Sequence, residues 1–452
     1  MPTRRSFLKS ATYASLGTIA LPTILTSCVK WKGANDRLHV GHIGVGSRGT
    51  SEMRSYFLPH KDFRIVAVSD VFESRRYKAA QIVQDGYTQQ GILNPVVDSY
   101  NDYREMLDRK DIDMVTITTP DHWHLPIAIH AVQSGKHVHV NKPLGLSVDY
   151  MRKLKDELSS AKLHFNYGTQ QRSYAFMKKA MEYIHGGALG EITEVLVWAP
   201  GGGADRHIGY YQAMDIPADL DYDRWLGPAP EAPYTADRVH RDGSFFINDY
   251  SIGFLGGWGA HPLDILVWGL KDRMRGDYSV EAGGEAQWPE GSMYDNINIW
   301  DSRLRFENGL KVHFMSQDLA KNEVMKFQTD YRQNGTLFIG SKGWMTLSRT
   351  YAECSIPEIN KAINNFPKKD FGLSGDRGTH GQEFAKLIRG DSDSYMDIDD
   401  AILADVISHN TNVAIRLNKE VKWDAKRMEI IDSIEGNRLI NRTHRAPFAV
   451  NG

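Results

Sequence analysis

The sequence predicts an α/β protein in which a parallel-sheet domain precedes an α+β domain with an open, mostly antiparallel sheet. The chain has 452 residues, 41% of them hydrophobic, which is enough to bury the cores of more than one domain. After Asn35, short β-branched runs alternate with longer amphipathic segments, a rhythm typical of parallel strands joined by helices. Beyond about residue 190, strand follows strand across short turns, which indicates antiparallel pairing.

The parallel-sheet domain is predicted to span residues 36–168. Its strands are expected at 38–43, 64–69, 113–118, 137–140 and 163–168. The helices that join them are expected at 51–58, 74–83, 103–107, 126–134 and 148–159.

The second domain is predicted to span residues 169–440. Its strands are expected at 193–199, 294–300, 303–306, 310–316, 336–339 and 343–348. A long helix is expected at 399–416, which makes this domain α+β rather than all-β.

Residues 1–27 are predicted to be an export signal that is removed from the mature protein. The segment TRRSFLK resembles a twin-arginine signal, and LTSC, which ends at Cys28, resembles a bacterial lipobox. An uncleaved membrane helix is the alternative, but the apolar run of about 15 residues is short for a span. We therefore expect a periplasmic or cell-surface lipoprotein whose membrane contact is a lipid on Cys28.

Charge and cysteine content exclude several classes of partner. The formal net charge is −2 without a Lys/Arg-rich stripe, so no nucleic-acid partner is expected. If Cys28 carries a lipid, Cys354 is the one remaining thiol, and an intrachain disulfide is impossible. No metal site is expected.

The segment IGVGSRG carries the spacing of a dinucleotide-binding loop directly after a predicted strand. Gly44 permits the tight turn, Gly46 lets the backbone approach a pyrophosphate, and Gly49 allows close helix packing. The helix start then offers amide donors to the phosphates, and we expect Ser47 and Arg48 to contact the cofactor as well. The first domain is therefore predicted to be a Rossmann domain.

Asp70 ends the second predicted strand, about 20 residues after the last glycine of the loop. A carboxylate at this point accepts hydrogen bonds from a ribose diol and repels a 2′-phosphate, which favours NAD over NADP. Arg75 and Arg76 on the following helix keep NADP open as the alternative.

Three further motifs resemble those of the Gfo/Idh/MocA family, the glucose–fructose oxidoreductase and inositol dehydrogenase group. They are TTPDHWH at 118–124, NKPLGLS at 141–147 and GGWGAHPLD at 256–264. The resemblance covers essentially the whole mature chain. It implies a Rossmann domain followed by an open-faced α+β domain, oxidation or reduction of a sugar or cyclitol at a secondary alcohol, and a homodimer or homotetramer.

The first two motifs carry the cofactor-side residues that the resemblance implies. Thr119, Pro120 and His124 would form the wall beside the nicotinamide, with His124 read as a hydrogen-bonded wall residue rather than as a catalyst. Asn141 replaces the Glu of the family's E-K-P motif and would contact the cofactor. Lys142 would donate a hydrogen bond to the reacting substrate oxygen.

The third motif supplies a candidate proton acceptor. Pro262 suits the first position of a helix, so His261 is predicted to cap that helix and to stay neutral beside its positive end. Asp264 would lie in the first turn, either as a substrate contact or as a complement to the helix dipole. Gly257 stands where the family pattern has an Asp, so a carboxylate partner for His261 is missing.

Substrate-binding residues are predicted by position and by chemistry. Arg172 follows the strand that leaves the nucleotide domain and could bind a polar substrate. Trp225 and Tyr234 could stack on the apolar patches of a sugar ring, although aromatic residues of this kind pack in cores at least as often.

These features predict an oxidoreductase that uses tightly held NAD on a secondary hydroxyl of a sugar or glycoside. The alternative is an NAD-dependent glycoside hydrolase of the same superfamily, which oxidises, eliminates, adds water and reduces again. A third reading is a non-catalytic sugar-binding lipoprotein, which the changes at Asn141 and Gly257 would support.

Overall fold

The computed structural model describes residues 37–201, 212–366, 377–392 and 397–450. The predicted export signal and Cys28 lie outside these residues. Residues from Arg37 onward form one compact unit. Within the described ranges, no helix has both the length and the apolar character needed to cross a membrane.

The first sheet is parallel, with strand order β3-β2-β1-β4-β5-β6. Its strands are β1 (Leu38–Ile43), β2 (Phe63–Ser69), β3 (Asp98–Tyr100), β4 (Met114–Ile117), β5 (His137–Val140) and β6 (Phe165–Tyr167). The ends are level because Ile43 pairs with Ser69 and Ile117, and Ile117 pairs with Val140. The loops after these strands therefore meet along one edge, where ligands of doubly wound sheets bind.

Helices cover both faces of this sheet. They are α1 (Ser47–Glu52), which continues as a π-helical turn at Met53–Phe57, α2 (Glu73–Gln89), α3 (Tyr103–Leu107), α4 (His124–Gln133) and α5 (Val148–Ala161). The edge strand β3 was not predicted, because DSY is short and polar and shows no apolar alternation.

The second sheet is open, with order β13-β12-β11-β7-β10-β9-β8-β14-β15. Its strands are β7 (Ile192–Ala199), β8 (Tyr278–Glu285), β9 (Ile299–Phe306), β10 (Lys311–Ser316), β11 (Gly335–Gly340), β12 (Gly343–Ser348), β13 (Tyr351–Cys354), β14 (Val421–Asp424) and β15 (Glu429–Ile430). All neighbours run antiparallel except β7 and β10, which are parallel. The predicted fold class is confirmed.

One predicted strand is wrong. Residues 294–298 form a loop, and the runs at 299–300 and 303–306 belong to the single strand β9. The reason is that Asn296 donates to the carbonyl oxygens of Phe245 and Ser251, while Asn298 donates to that of Gln287. These buried amide bonds fix a loop in place of a strand ladder.

The second domain has these helices: α6 (Ala175–His185), α7 (Tyr222–Leu226), α8 (Ala236–Val239), α9 (Arg241–Phe246), α10 (Gly253–Gly257), α11 (Ala260–Met274), α12 (Gln317–Val324), α13 (Pro357–Ile363), α14 (Arg377–Arg389), α15 (Ile398–Leu417) and α16 (Ile434–Ile440). α11 packs on β7, β11 and α15, and its start is fastened to the sheet by Thr336, whose hydroxyl donates to the carbonyl of Pro262 at 2.6 Å. A Cβ on Gly256 would lie 3.8 Å from Pro143, so the start of this helix region adjoins the loop after β5.

Candidate active site

The three glycines of the loop have different structural roles. Gly44 has φ +82°, and a Cβ there would lie 2.7 Å from the backbone of Thr118. A Cβ on Gly49 would lie 2.0 Å from the Gly44 carbonyl oxygen, so both residues are required by packing. A Cβ on Gly46 would meet only Arg75, at 3.8 Å, which leaves an open backbone surface beside the exposed Ser47. Gly46 therefore offers the close approach that a diphosphate needs.

Asp70 holds this loop in shape. Its two carboxylate oxygens accept hydrogen bonds from the backbone N–H groups of Val45 and Phe72, each at 2.9 Å. Burial raises the pKa of the Asp70 carboxyl, and those two hydrogen bonds act in the opposite direction. Each oxygen keeps further acceptor capacity for a ribose hydroxyl. Arg75 stacks on the ring of Phe72 at 3.8 Å, on the Asp70 side of the loop.

His124 ties two loops of the strand edge together. Its ring nitrogens lie 2.7 Å from the carbonyl oxygen of Pro143 and 2.9 Å from that of Thr119. Both nitrogens are thus engaged by the protein, which suits a wall residue. The Thr119 hydroxyl is buried and has no hydrogen-bond partner among the described residues, and Pro120 follows it in the same loop.

Lys142 follows β5 and lies against the ring of Phe245, with its ammonium 5.9 Å from the ring centroid. Burial lowers the pKa of Lys142 to about 8, and the negative charge of Asp121 counteracts part of that change. Asp121 accepts a hydrogen bond from the Ser251 hydroxyl at 2.6 Å. Asp121 lies within the TTPDHWH motif, but nothing in the motif spacing connects it to a lysine twenty-one positions later, so the sequence does not predict this contact.

His261 lies in the first turn of α11 and is not its cap, because the helix begins at Ala260 and is capped by Gly259. Its Nε2 is hydrogen-bonded to the Arg349 guanidinium, and its buried Nδ1 has no partner in the described part of the chain. Burial lowers the pKa of His261 well below its usual value, and the cations Arg349 and Lys142 lower it further. The ring is neutral as predicted, but for this reason rather than because of the helix dipole.

Arg349 was not predicted to be near the site. It follows β12, stands 5.0 Å over the ring of Trp258, and places its Nε 3.4 Å from the side-chain oxygen of Gln171. The contact with His261 joins positions that are 88 residues apart in sequence. A strand pattern in a single sequence does not reveal a pairing of this kind.

Gly257 has no room for the missing family carboxylate. A Cβ at this position would lie 2.1 Å from the ring of Phe245. Phe245 therefore fills the space that an Asp side chain would need, and its ring face is turned toward the Lys142 ammonium.

Arg172 and Asp264 require a correction, because both were predicted to bind substrate. Both side chains are wholly buried, at 0% exposure, and Arg172 bonds Asp264 and Asp400, each at 2.6 Å. The Thr169 hydroxyl also donates to Asp264, at 2.8 Å. These charges form a structural ion-pair cluster that links Arg172, in the 3-10 turn after β6, to α11 and α15. Asp264 therefore does not act as a free first-turn acid.

Trp225 and Tyr234 were predicted as sugar platforms, and this too is corrected. Their exposures are 4% and 8%. Trp225 packs edge-on against Tyr250 at 4.9 Å, and Tyr234 packs edge-on against Tyr222 at 5.3 Å. Their faces are therefore used in an aromatic core cluster.

Asn141 is connected to a residue that the sequence did not single out. Its side-chain Nδ2 donates to the Glu52 carboxylate at 2.7 Å, while its Oδ1 accepts from the Lys142 backbone N–H at 2.8 Å. Glu52 is 1% exposed and pairs with Arg48 at 2.6 Å. A Glu four positions after an Arg is typical of an ion pair on the surface of a helix, so the sequence alone does not predict that Glu52 is buried.

Together, a glycine-loop Rossmann sheet, a half-buried lysine at its strand edge and a neutral histidine from α11 define a two-domain nucleotide-dependent oxidoreductase. Residues 38–169 match the oxidoreductase family of NAD-binding Rossmann fold, Gfo/Idh/MocA, and residues 206–450 match the family's C-terminal alpha/beta domain. The chain belongs to this family, and its first domain is the NAD-binding one.

Curated relatives match over part of their length. A glycosyl hydrolase family 109 protein of Shewanella pealeana is 36% identical over 162 residues, which are 32% of this chain and 34% of that protein. A family 109 protein of Saccharopolyspora erythraea is 33% identical over 161 residues, 35% of this chain and 34% of that protein. The chain therefore spans about a third of the length of these relatives.

Solved structures match over nearly their whole length. Levoglucosan dehydrogenase in complex with NADH and L-sorbose is 18% identical, covers 85% of this chain and 98% of its own, and has a TM-score of 0.61. Scyllo-inositol dehydrogenase from Lactobacillus casei, with NAD(H) and scyllo-inositol, is 16% identical, covers 86% and 99%, and has a TM-score of 0.58. At these identities the likeness concerns the fold.

Proposed function

We propose that the protein is an NAD-dependent oxidoreductase that acts on a secondary hydroxyl of a sugar or glycoside. The observation that carries the proposal is the meeting of Lys142 and His261 beside the strand edge of the NAD-binding sheet. Pro143 adjoins Gly256, and the Lys142 ammonium and Gly257 lie on the same ring, Phe245. A donor and a buried neutral imidazole thus lie close enough to each other, and to Arg48 beside the glycine loop, for their charges to interact.

Lys142 is the group suited to exchange the substrate proton. With a pKa of about 8 it exists in both protonation states near neutral pH, which is where proton transfer is most effective. Its ammonium form donates a hydrogen bond to the reacting oxygen and stabilises developing negative charge. NAD, when bound, supplies the acceptor or donor of the hydride.

His261 is suited to orient the substrate. Because the Arg349 guanidinium can only donate, Nε2 of His261 accepts, and the ring proton is assigned to Nδ1. That Nδ1 has no protein partner among the described residues, so it can donate to a substrate oxygen. The sequence expectation gave His261 the role of proton acceptor. The contacts support the opposite assignment: Lys142 exchanges the substrate proton, and His261 donates the hydrogen bond that orients the substrate.

A hydrolytic variant of the same chemistry is the second candidate. It is favoured by the identity with the family 109 glycosyl hydrolases, although that identity covers a third of their length. A panel of glycosides separates the two. A keto-sugar product supports net oxidation, and a free sugar without net change of the cofactor supports hydrolysis.

Mass spectrometry of the purified, denatured protein is the first experiment, and near-stoichiometric NAD is the expected result. Absence of any nicotinamide nucleotide would contradict tight binding. We expect Lys142→Met and His261→Phe to lose turnover on the glycoside panel while both variants remain folded. Unchanged turnover in both would overturn the assignment of the site, and sugar binding without turnover in the wild type would favour a non-catalytic role.

Export and assembly remain part of the proposal. Support comes from the TRRSFLK and LTSC segments, and a nucleotide held through export would explain how an external enzyme keeps its cofactor. Diacylglycerol on Cys28, detected by mass spectrometry of the mature N-terminus, would support it. A dimer or tetramer is the expected assembly, and light scattering after gel filtration measures it.

A further inference from the structure

The loop that carries Lys142 is held by a carboxylate from the nucleotide-binding helix. Glu52 lies at the end of α1, and its Oε1 accepts a hydrogen bond from the side-chain Nδ2 of Asn141 at 2.7 Å. The Oδ1 of Asn141 in turn accepts a hydrogen bond from the Lys142 backbone N–H at 2.8 Å. Two hydrogen bonds therefore connect the Glu52 carboxylate to the backbone of Lys142.

The Glu52 carboxylate is charged although it is buried. Burial alone would raise the pKa of Glu52, but the Arg48 guanidinium at 2.6 Å and the neighbouring His139 outweigh it and hold that pKa at about 2. His380 on α14 packs edge-on against His139, with ring centroids 5.5 Å apart, and burial lowers its pKa to about 3, so this ring is neutral. His42 on β1 also faces this carboxylate, and burial keeps that ring neutral, with a pKa of about 3.

A fixed negative charge at this point has a consequence for Lys142. The charged groups that face the Lys142 ammonium are Asp121 after β4, Arg48 and Glu52 on α1, and Arg349 after β12. His261 on α11 faces it as a neutral ring. Two cations and two anions thus act on one half-buried lysine, and removing either anion shifts the balance toward the cations.

We propose that Glu52 is a positioning residue for the reaction: it holds the Asn141–Lys142 loop in place and acts as a buried counter-ion for the Lys142 ammonium. The proposal rests on the proposed function for its meaning in catalysis. The carboxylate that Asn141 lacks is thereby supplied across one hydrogen bond, from the helix that also bears Arg48, which the sequence predicts to contact the cofactor.

The proposal can be tested by moving the negative charge from residue 52 to residue 141, its hydrogen-bond partner. Glu52→Gln removes the charge, keeps the side-chain length and retains an oxygen that can accept from Asn141. In E52Q/N141D the amide is on residue 52 and the carboxylate on residue 141, so the hydrogen bond survives with donor and acceptor exchanged. E182Q is the matched control, because Glu182 forms an exposed pair with Lys179 at 2.5 Å, far along α6.

The measurement is the pH dependence of acetic anhydride labelling of Lys142, read by peptide mass spectrometry on the purified full-length protein. We expect the labelling midpoint of E52Q to fall by roughly half a pH unit, because the ammonium loses a counter-ion. E52Q/N141D should return the midpoint to the wild-type value or above it, and E182Q should leave it unchanged. The acid limb of the pH–kcat/KM profile should move with the midpoint.

A midpoint that is the same in folded E52Q and in the wild type would overturn the proposal. If E52Q does not fold, E52Q/N141D still decides the matter, because a midpoint below that of the wild type contradicts charge supply across the bond. If no glycoside is turned over by the wild type, the proposed function fails while the labelling midpoints still test Glu52.

Discussion

The cofactor side and the substrate side of the site are shaped by different kinds of contact. On the cofactor side the loop is shaped by backbone, with glycines pressed against carbonyl groups and with Asp70 bonded to two amide N–H groups. On the substrate side, buried charges do the shaping, as in the Arg172 cluster and in the contact of Arg349 with His261. A substitution should therefore act through steric access on the first side, and through stability and proton affinity on the second.

The largest effect is expected at Arg172. Arg172→Met leaves Asp264 and Asp400 buried without their cation, which should lower the free energy of unfolding by about 3–5 kcal/mol. Urea unfolding followed by circular dichroism measures this change. A substrate-contacting arginine would behave differently, with a raised KM at unchanged stability.

Arg172→Lys is the control, since it keeps the charge but loses the forked geometry, and it should be less damaging than Met. If R172M unfolds like the wild type while its KM rises tenfold or more, the structural assignment of the cluster is wrong.

Restoring the family carboxylate is the next largest change. Gly257→Asp forces a side chain into the ring of Phe245, since a Cβ there would lie 2.1 Å from that ring. We expect a loss of about 1–3 kcal/mol in unfolding free energy, as for other overpacked cores. Adding Phe245→Ala should recover part of that loss, although F245A alone should destabilise. Additive losses in the double variant would contradict the view that the ring occupies the site of the carboxylate.

On the cofactor side, Gly46 and Gly49 form a matched pair. Gly46→Ala meets no backbone, so its thermal midpoint without added nucleotide should equal that of the wild type. Its methyl group faces the open loop surface, so NAD affinity should fall about tenfold, or about 1.4 kcal/mol, by calorimetry. Gly49→Ala places its methyl 2.0 Å from a carbonyl oxygen and should lower the thermal midpoint itself. Equal behaviour of the two variants would remove the distinction between access and packing.

The same contrast explains what sequence reasoning could reach. Gly44, Gly46, Gly49 and Asp70 lie within the single β1-α1-β2 unit, so their spacing along the chain indicates their arrangement in space. Most first-domain helices and strands were predicted within a few residues for the same reason. On the substrate side, Arg172 meets Asp264 and Asp400 across 92 and 228 positions, and such pairings leave no local pattern. The sequence therefore indicated that Arg172 could bind a polar substrate.

The smallest expected change separates the roles of the two proton-carrying groups. Arg349→Gln removes a cation from the Nε2 side of His261, so the imidazolium is less disfavoured and the pKa of His261 should rise. It should still titrate below its ordinary range, because burial is the larger cause of its low pKa. NMR titration of ring-labelled histidine measures this, and Arg349→Lys, which keeps the charge, should leave the pKa low.

The kinetic consequence appears at a different pH for the two assignments. If His261 accepted the substrate proton, a higher pKa would protonate it earlier on acidification, and the acid limb of kcat/KM would move to higher pH in R349Q. If Lys142 exchanges the proton, Arg349→Gln also removes a cation that lowers the pKa of Lys142. That pKa then rises, and a limb near pH 8 moves upward while no new limb appears in the acidic range. A limb below pH 6 that follows the NMR titration of His261 would return the proton to the histidine.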